Sequence, residues 1–174
     1  MDKDKLLKIL FEQKNRMYRL AFRILLNNFE AEEAVQETII KIWKINKSFN
    51  EGKDIQIYST TILRNHCIDK LRSKHRKIIK IDINEIDFEI EDNNEIPLLL
   101  TENKDIKIII EQIINEFPEL WRTVFQLRDI EGFSTEETAK ILEINIQDVK
   151  NHIVRVRKRI KNILEKQYKY EYKD

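Results

Sequence analysis

Residues 148–160, DVKNHIVRVRKRI, fit two periodicities, and the choice between them decides what this part of the chain can fold into. The centre of the segment alternates apolar and basic side chains, as an edge strand does. When each residue is advanced by about 100°, as in a helix, one set of apolar side chains falls within about 40° of a single line. That set is Val149, Ile153, Val156, Ile160 and Ile163. The segment is therefore predicted to be a helix with one buried face and a basic outer face.

The residues before this helix predict a second, shorter helix. Ser134 and Glu137 have the spacing of a capping box, which predicts a helix over residues 135–142. A short turn follows, and Asn145 can cap a last helix that runs to about residue 166. If Glu143 is left-handed in that turn, it costs roughly 1–2 kcal/mol relative to glycine. A short helix, a tight turn and a long basic helix indicate a helix-turn-helix.

The outer face of the last helix predicts contact with nucleic acid. In a major groove, Lys and Arg contact phosphates, Asn or Arg contacts base edges, and a lone valine suits a thymine methyl group. The side chains expected there are Lys150, Asn151, Val154, Arg155 and Lys158. A solvated surface helix held by salt bridges is the alternative, but Asp148 and Glu165 are its only nearby acids.

The remainder of the chain also favours helices. Two Gly and two Pro among 174 residues leave little turn chemistry for a multi-stranded sheet. Apolar side chains recur at three and four residues over about 4–27, 30–47 and 54–77, which predicts three helices. Residues 81–91 alternate apolar and acidic side chains, but no partner strand is visible, so an extended segment is expected there. The fold class is predicted to be all-α.

Charge is segregated along the chain, and the segregation suggests domain boundaries. Residues 1–81 carry 18 Lys and Arg against 10 Asp and Glu, whereas residues 82–105 carry one against nine. Two small helical domains joined by an acidic flexible linker are therefore predicted, the second containing the helix-turn-helix. The predicted domains are residues 1–80 and 105–174, and the predicted linker is residues 81–104.

Several classes of protein are disfavoured by the sequence. One cysteine, Cys67, cannot form an internal disulfide, and no apolar run is long enough to span a membrane, which favours a cytoplasmic protein without a leader. No Gly-rich phosphate loop, paired-carboxylate site or metal-ligand spacing is present, so no enzyme and no cofactor are expected. His66 and Cys67 point about 100° apart on a helix and are interpreted as structural residues.

Three stretches resemble the extracytoplasmic-function (ECF) group of the sigma-70 family of bacterial RNA polymerase sigma factors. They are MYRLAFRILLNNFEAEEAVQETIIKIWK (17–44), ILRNHCIDKLRSKHR (62–76) and FPELWRTVFQLRDIEGFSTEETAKILEINIQDVKNHIVRVRKRI (117–160). They occur in the family's order and spacing. The resemblance implies region 2 of the family in residues 1–80 and region 4, the promoter-binding helix-turn-helix, in residues 105–174.

The resemblance also implies site residues. Contact with core RNA polymerase is expected from Glu33, Gln36, Glu37 and Ile40. Contact with the melted non-template strand of the promoter is expected from Asn50, Lys53, Arg64, Asn65, Asp69, Lys70, Arg72 and Arg76. Contact with the upstream promoter duplex is expected from Ser134, Thr135, Lys150, Asn151, His152, Val154, Arg155 and Lys158. Trp43 is interpreted as a core residue, because indole at a buried-stripe position usually packs inside.

The expected partners are core RNA polymerase, promoter DNA and an anti-sigma factor, since the group is commonly held inactive by one. Two other functions are weighed against this one. A helix-turn-helix regulator that acts without polymerase would explain residues 117–161 but leaves the acidic face of the second helix and the basic third helix without a role. A small helical enzyme is supported by nothing beyond the His66–Cys67 pair.

Overall fold

The structure, a computed structural model, describes residues 3–45, 52–81 and 106–171; at the helix ends 75–81, 106–107 and 167–171 it describes the backbone alone. The described residues contain α-helices and no strand, which confirms the all-α prediction. The helices are α1 (Lys3–Glu12), α2 (Lys14–Leu25), α3 (Asn28–Lys44), α4 (Gly52–Ile81), α5 (Ile106–Asn115), α6 (Glu119–Phe125), α7 (Thr135–Leu142) and α8 (Ile146–Glu171). A π-helical turn, Gln126–Ile130, follows α6 directly. The predicted linker lies outside the described residues except for Ile81.

Helices α1 to α4 pack together, and their boundaries differ slightly from the predicted ones. The single helix expected over 4–27 is interrupted at Gln13, whose side chain is buried and accepts a hydrogen bond from Ser59 Oγ over 3.2 Å. Helix α3 begins earlier than expected because Asn27 caps it, its Oδ1 accepting from the Glu30 amide at 3.0 Å. Between α2 and α3 the chain turns at Leu26, which has a φ of +52°.

In the second half of the chain, the helices begin and end at the residues predicted to cap or terminate them. Gly132, at φ +71°, ends the segment that α6 begins, and glycine tolerates this conformation because it has no Cβ. Ser134 caps α7: its Oγ accepts from the Glu137 amide at 3.1 Å, while Glu137 Oε2 accepts from the Ser134 amide at 2.8 Å. Asn145 caps α8 by accepting from the Asp148 amide at 2.8 Å. The helix-turn-helix prediction is confirmed in its elements.

Two apolar cores lie beneath these helices. The larger core combines residues of both halves of the chain, because α4 packs against α7 and α2 packs against α6. The smaller one lies between α5 and α8 and includes Ile113, Phe117, Val156 and Ile160. The predicted apolar seam of α8 is confirmed: Val149 and Val156 are fully buried, and Ile153 and Ile160 nearly so.

Glu143 adopts the left-handed conformation, with φ +57° and ψ +38°, at the C-terminus of α7. We expect Glu143→Gly to raise the free energy of unfolding by about 1 kcal/mol, because glycine enters this region without the Cβ penalty. Thermal and denaturant unfolding of the two proteins would measure the gain. Glu143→Ala is the control, since it removes the carboxylate but keeps the Cβ. An equal gain in both variants would show that the carboxylate, not the backbone, carries the cost.

Candidate nucleic-acid interface

The outer face of α8 is built as a basic and polar surface. The buried seam fixes the rotation of the helix, so the residues opposite it turn to solvent. Val154 is 61% exposed, and Lys150, Asn151, Arg155 and Lys158 are exposed beside it. The Gln147 side-chain amide, one helical turn earlier, donates to Asn151 Oδ1 over 3.0 Å. The structure thus brings these predicted residues together on one surface.

Two other basic-face residues of α8 point elsewhere. His152 is half-buried, and its ring centroid lies 6.5 Å from that of Trp121. Arg157 is held by Asp129 of the π-helical turn through bonds of 3.0 and 2.5 Å. Hydrogen bonding to Asp129 raises the pKa of this guanidinium. These contacts orient α8 on the domain. Lys150, Asn151, Val154, Arg155 and Lys158 remain exposed to solvent, where a ligand could reach them.

The N-terminus of α7 carries the predicted phosphate contacts Ser134 and Thr135, both half-buried. The carboxylates of Glu136 and Glu137 also lie in the first turn of α7. The pKa of Glu136 is lowered by a backbone hydrogen bond and by Ser134, and that of Glu137 is lowered chiefly by Lys53. Carboxylates near the first turn compensate the positive end of the helix dipole. A phosphate would therefore meet a helix terminus that is already partly neutralised.

Helix α4 carries most of the residues predicted to contact the melted strand. Asp69 and Arg72 are exposed, while Arg64, Asn65 and Lys70 are half-buried, and Arg64 donates to Asn65 Oδ1 over 3.0 Å. Lys53 lies near the start of α4, where it pairs with Glu137 of α7 at 2.6 Å. Asn50 lies outside the described residues, and of Arg76 only the helical backbone is described.

The acidic face of α3 and the basic face of α4 are joined by a ladder of three side-chain contacts. Two are ion pairs, Glu30 with Lys74 at 2.5 Å and Glu33 with Lys70, and in the third His66 Nε2 lies 2.9 Å from Glu37 Oε2. Hydrogen bonding to Lys70 lowers the pKa of Glu33. The predicted polymerase-contact acids and the predicted DNA-contact Lys70 are therefore neighbours. Sequence patterns within either helix alone did not indicate this pairing.

The outer face of α3 is more apolar than predicted. Ile40 is 50% exposed, as expected for a contact residue, but Trp43 is 41% exposed and the interpretation of Trp43 as core is wrong. Lys3 Nζ lies 5.3 Å from the centroid of the Trp43 ring. Phe29, which the sequence interpretation missed, is 76% exposed. Helical phasing at about 100° per residue would have placed Phe29, Ile40 and Trp43 on one face.

Cys67 and His66 do not form a reactive pair. Burial raises the pKa of the Cys67 thiol to about 12, so the thiol remains protonated at neutral pH. His66 points instead to Glu37. Among residues 3–45, 52–81 and 106–171 no group of three or more His, Cys, Asp or Glu side chains could hold a metal ion. Within the same residues no helix has the length and apolar character needed to cross a membrane.

Comparison with known families matches both halves of the chain. The family described as "Sigma-70 region 2" matches residues 10–77, and "Sigma-70, region 4" matches residues 107–160. The first match contains α3 and most of α4, and the second contains the helix-turn-helix.

Several curated proteins are similar over most of the chain. "ECF RNA polymerase sigma factor SigW" of Bacillus subtilis is 27% identical over 169 residues, covering 94% of this chain and 90% of that protein. "ECF RNA polymerase sigma factor SigE" of Mycolicibacterium smegmatis is 27% identical over 158 residues, but the chain spans only 60% of its length.

Solved structures share the fold. The sigma factor RpoE of Bartonella quintana, solved with the anti-sigma factor NepR, superposes with a TM-score of 0.68 at 24% identity, covering 94% of this chain and 96% of that chain. CnrH, solved with the cytosolic domain of CnrY, superposes with a TM-score of 0.62 at 14% identity, covering 94% and 90%. With both family regions matched in order over more than half of its length, the chain belongs to the sigma-70 family of RNA polymerase sigma factors, in its ECF group.

Proposed function

We propose that the chain directs transcription initiation by dividing the task between its two halves. Residues 1–80 bind core RNA polymerase and the melted promoter strand, residues 105–174 bind the upstream promoter duplex, and residues 81–104 connect them. The observation that carries this division is the coincidence of each family match with a surface of suitable chemistry. The region 2 match holds an acidic and apolar face next to a basic helix, and the region 4 match holds the basic outer face of α8.

The polymerase surface is proposed to be the outer face of α3. Its polar members are Glu33, Gln36 and Glu37, and its apolar members are Phe29, Ile40 and Trp43. Exposed aromatic side chains surrounded by charged groups have the composition of an interface centre, because such residues carry much of the binding energy once desolvated. A polymerase element that docks here must supply an apolar contact and basic groups.

The promoter surfaces are proposed on α4 and α8. On α8, Asn151 and Arg155 are suited to base edges, Val154 to a thymine methyl, and Lys150 and Lys158 to phosphates. On α4, Asn65 and Asp69 offer hydrogen bonds to an unstacked base, and Arg64, Lys70 and Arg72 line a path for the strand. His152 turns toward Trp121, so we propose that it supports α8 rather than contacting DNA.

The remaining properties follow from this role. The chain acts as a subunit without catalytic activity or cofactor of its own, and it works in the cytoplasm, where polymerase and promoter DNA meet. An anti-sigma factor is a proposed partner, because two structures that share this fold are complexes with a further protein, one of them named as an anti-sigma factor.

Reconstitution with purified core RNA polymerase tests the proposal directly. The chain should bind core enzyme and direct initiation on genomic DNA at a defined set of start sites, and sequencing the transcripts should identify shared elements upstream of those sites. Core enzyme alone is the control for background initiation. Sequence-selective binding of duplex DNA by the chain without binding of core enzyme would contradict the proposal and indicate a helix-turn-helix regulator.

Glu37→Lys is expected to reduce affinity for core polymerase. The substitution reverses a charge on the outer face of α3 and removes the carboxylate whose Oε2 lies 2.9 Å from His66 Nε2. Binding of the full-length chain to core enzyme and to the upstream promoter duplex would be measured in parallel, and only the first should weaken. Glu12→Lys is the matched control, because Glu12 is an exposed acid on α1. Equal loss in both assays would indicate a folding defect instead.

A further inference from the structure

The outer face of α8 carries one more polar side chain, which the sequence interpretation did not assign. Gln147 lies in the first turn of α8 and is exposed. Advancing about 100° per residue places Gln147 opposite the buried Val149 and Val156. On the same count it lies within about 40° of Asn151 and Val154. The exposed stripe that faces away from the core therefore begins at Gln147, one helical turn before Asn151.

The polar side chains on either side of Gln147 are occupied by the helix cap. Asn145 Oδ1 accepts from the Asp148 amide at 2.8 Å, and Asn145 Nδ2 donates to Asp148 Oδ2 at 2.6 Å. These two side chains therefore bond to each other and to the start of α8. Gln147 differs from them because its bond runs along the outer face of the helix, toward Asn151.

Gln147 and Asn151 form a pair of amides with unused hydrogen-bonding groups. Gln147 Nε2 donates to Asn151 Oδ1 over 3.0 Å. Within the part of the chain that the structure describes, Gln147 Oε1 and Asn151 Nδ2 have no hydrogen-bond partner. An amide oxygen accepts two hydrogen bonds, so Asn151 Oδ1 also retains one lone pair. The pair can thus offer both donors and acceptors to a ligand at this face.

The bond gives the Asn151 amide an order. The two ends of an amide are similar in size, so an asparagine without a partner can present its oxygen and nitrogen in either order. A donor at Gln147 favours the order in which Oδ1 lies on the side of residue 147 and Nδ2 on the other. Because this order is set before a ligand arrives, less conformational freedom is lost on binding.

A side-chain amide of fixed order matches the major-groove edge of adenine. Adenine presents the N7 acceptor and the N6 donor side by side, and Nδ2 and Oδ1 of an asparagine bond to both at once. Guanine presents two acceptors, so one of them would face Asn151 Oδ1 without a hydrogen between them. A polar group left unpaired in a closed contact costs affinity, and guanine is therefore disfavoured.

We propose that Gln147 is a specificity-determining residue of α8, which holds the Asn151 amide in the order that selects adenine in the upstream promoter element. This inference rests on the proposed function, because it concerns the same duplex surface. Asn151 makes the base contact, and Gln147 is the positioning residue that acts through it. Since neither side chain is charged, the pair affects which sequence is bound more than the salt-dependent affinity for any duplex.

Three substitutions of Gln147 separate the order of the amide from its bulk. Gln147→Met keeps a side chain of similar length without the hydrogen bond. Gln147→Lys can only donate, as Gln147 does in this pair, and should keep the preference for adenine. Gln147→Glu can only accept, so Asn151 must turn Nδ2 toward residue 147. Oδ1 then takes the other position, and the preference should move toward cytosine, whose N4 is a donor.

The variants are tested as full-length chains bound to core RNA polymerase. The substrate is a pool of promoters with a randomised upstream element, and sequencing the transcripts gives the base preference at each position. The unmodified chain should favour adenine at one position by about tenfold, and Gln147→Met should reduce this to about twofold. Gln147→Glu should place cytosine above adenine there. Charge changes at residue 147 alter initiation on all sequences, whereas the ratio between bases at one position reports recognition.

Asn162→Leu is the matched control, because it removes another exposed amide of α8 about 22 Å further along the helix. It should leave the base preference unchanged, and all variants should keep the unfolding temperature of the unmodified chain. Unchanged preferences in Gln147→Met, or an equal change in Asn162→Leu, would overturn the positioning role. Absence of initiation by the unmodified chain would contradict the proposed function, whereas normal initiation with preferences that ignore residue 147 would contradict this inference alone.

Discussion

Arg155→Ala is expected to weaken binding to the upstream promoter duplex by about 1–3 kcal/mol, roughly 5- to 150-fold. Arg155 is exposed on the outer face of α8 beside Asn151 and Val154, where a guanidinium can bond two acceptors of a guanine at once. Its loss leaves those acceptors without a partner. Fluorescence anisotropy with the full-length chain, at a fixed salt concentration, would measure the change on the natural element and on single-base variants.

The pattern across the variants separates base contact from charge. If Arg155 contacts a base, the alanine variant should lose preference at one position of the element. Arg159→Ala is the matched control, because Arg159 is also exposed on α8 and its removal changes the net charge equally. The control should weaken binding by a similar amount on all sequences. Sequence preference that is unchanged in Arg155→Ala would exclude its role in recognition.

Ile42→Ala is expected to lower the free energy of unfolding by about 2–5 kcal/mol, because it opens a cavity in the larger core. Ile42 is fully buried on the inner face of α3, in the cluster that includes Leu10, Leu63 and Val35. Since small proteins are stabilised by only about 5–15 kcal/mol in total, such a loss is a large part of the stability. Urea unfolding followed by circular dichroism would measure it.

Ile40→Ala provides the comparison, since the two isoleucines are two residues apart on the same helix. Ile40 faces outward, so its truncation should change stability by less than about 1 kcal/mol. It should nevertheless weaken binding to core polymerase, whereas Ile42→Ala should retain binding at temperatures where it is folded. Polymerase affinity unaffected by Ile40→Ala would remove this residue from the proposed docking surface.

Local chemistry explains which parts of the fold were predictable. The capping box at Ser134, the cap at Asn145 and the seam of α8 depend on residues a few positions apart, so the sequence specifies them directly. The sequence left open whether Glu143 is left-handed in the turn, and the structure shows that it is. In contrast, the Gln13 side chain at the break between α1 and α2 accepts a hydrogen bond from Ser59, 46 residues away, and no local pattern indicates that contact.

The surfaces were predictable in part for the same reason. Arg155 from phasing and Ile40 from the family resemblance both lie on outer faces as expected, but Trp43 was assigned to a buried stripe, although its helix turns it outward. The ladder between α3 and α4 and the pairing of Arg16 and Arg19 with Glu131 both join segments distant in sequence. Their acids and bases are ordinary surface residues in the sequence, and only the packing of the helices shows that they are paired.

The ladder has a consequence for how the chain responds to ionic strength. When a free lysine meets DNA, a condensed cation leaves the duplex, and the entropy of that release drives binding at low salt. Lys70 already pairs with Glu33, so in the proposed contact with the melted strand its transfer to phosphate leaves a carboxylate that recruits a cation from solution. We therefore expect strand binding by this half to depend less steeply on salt concentration than binding by unpaired lysines does.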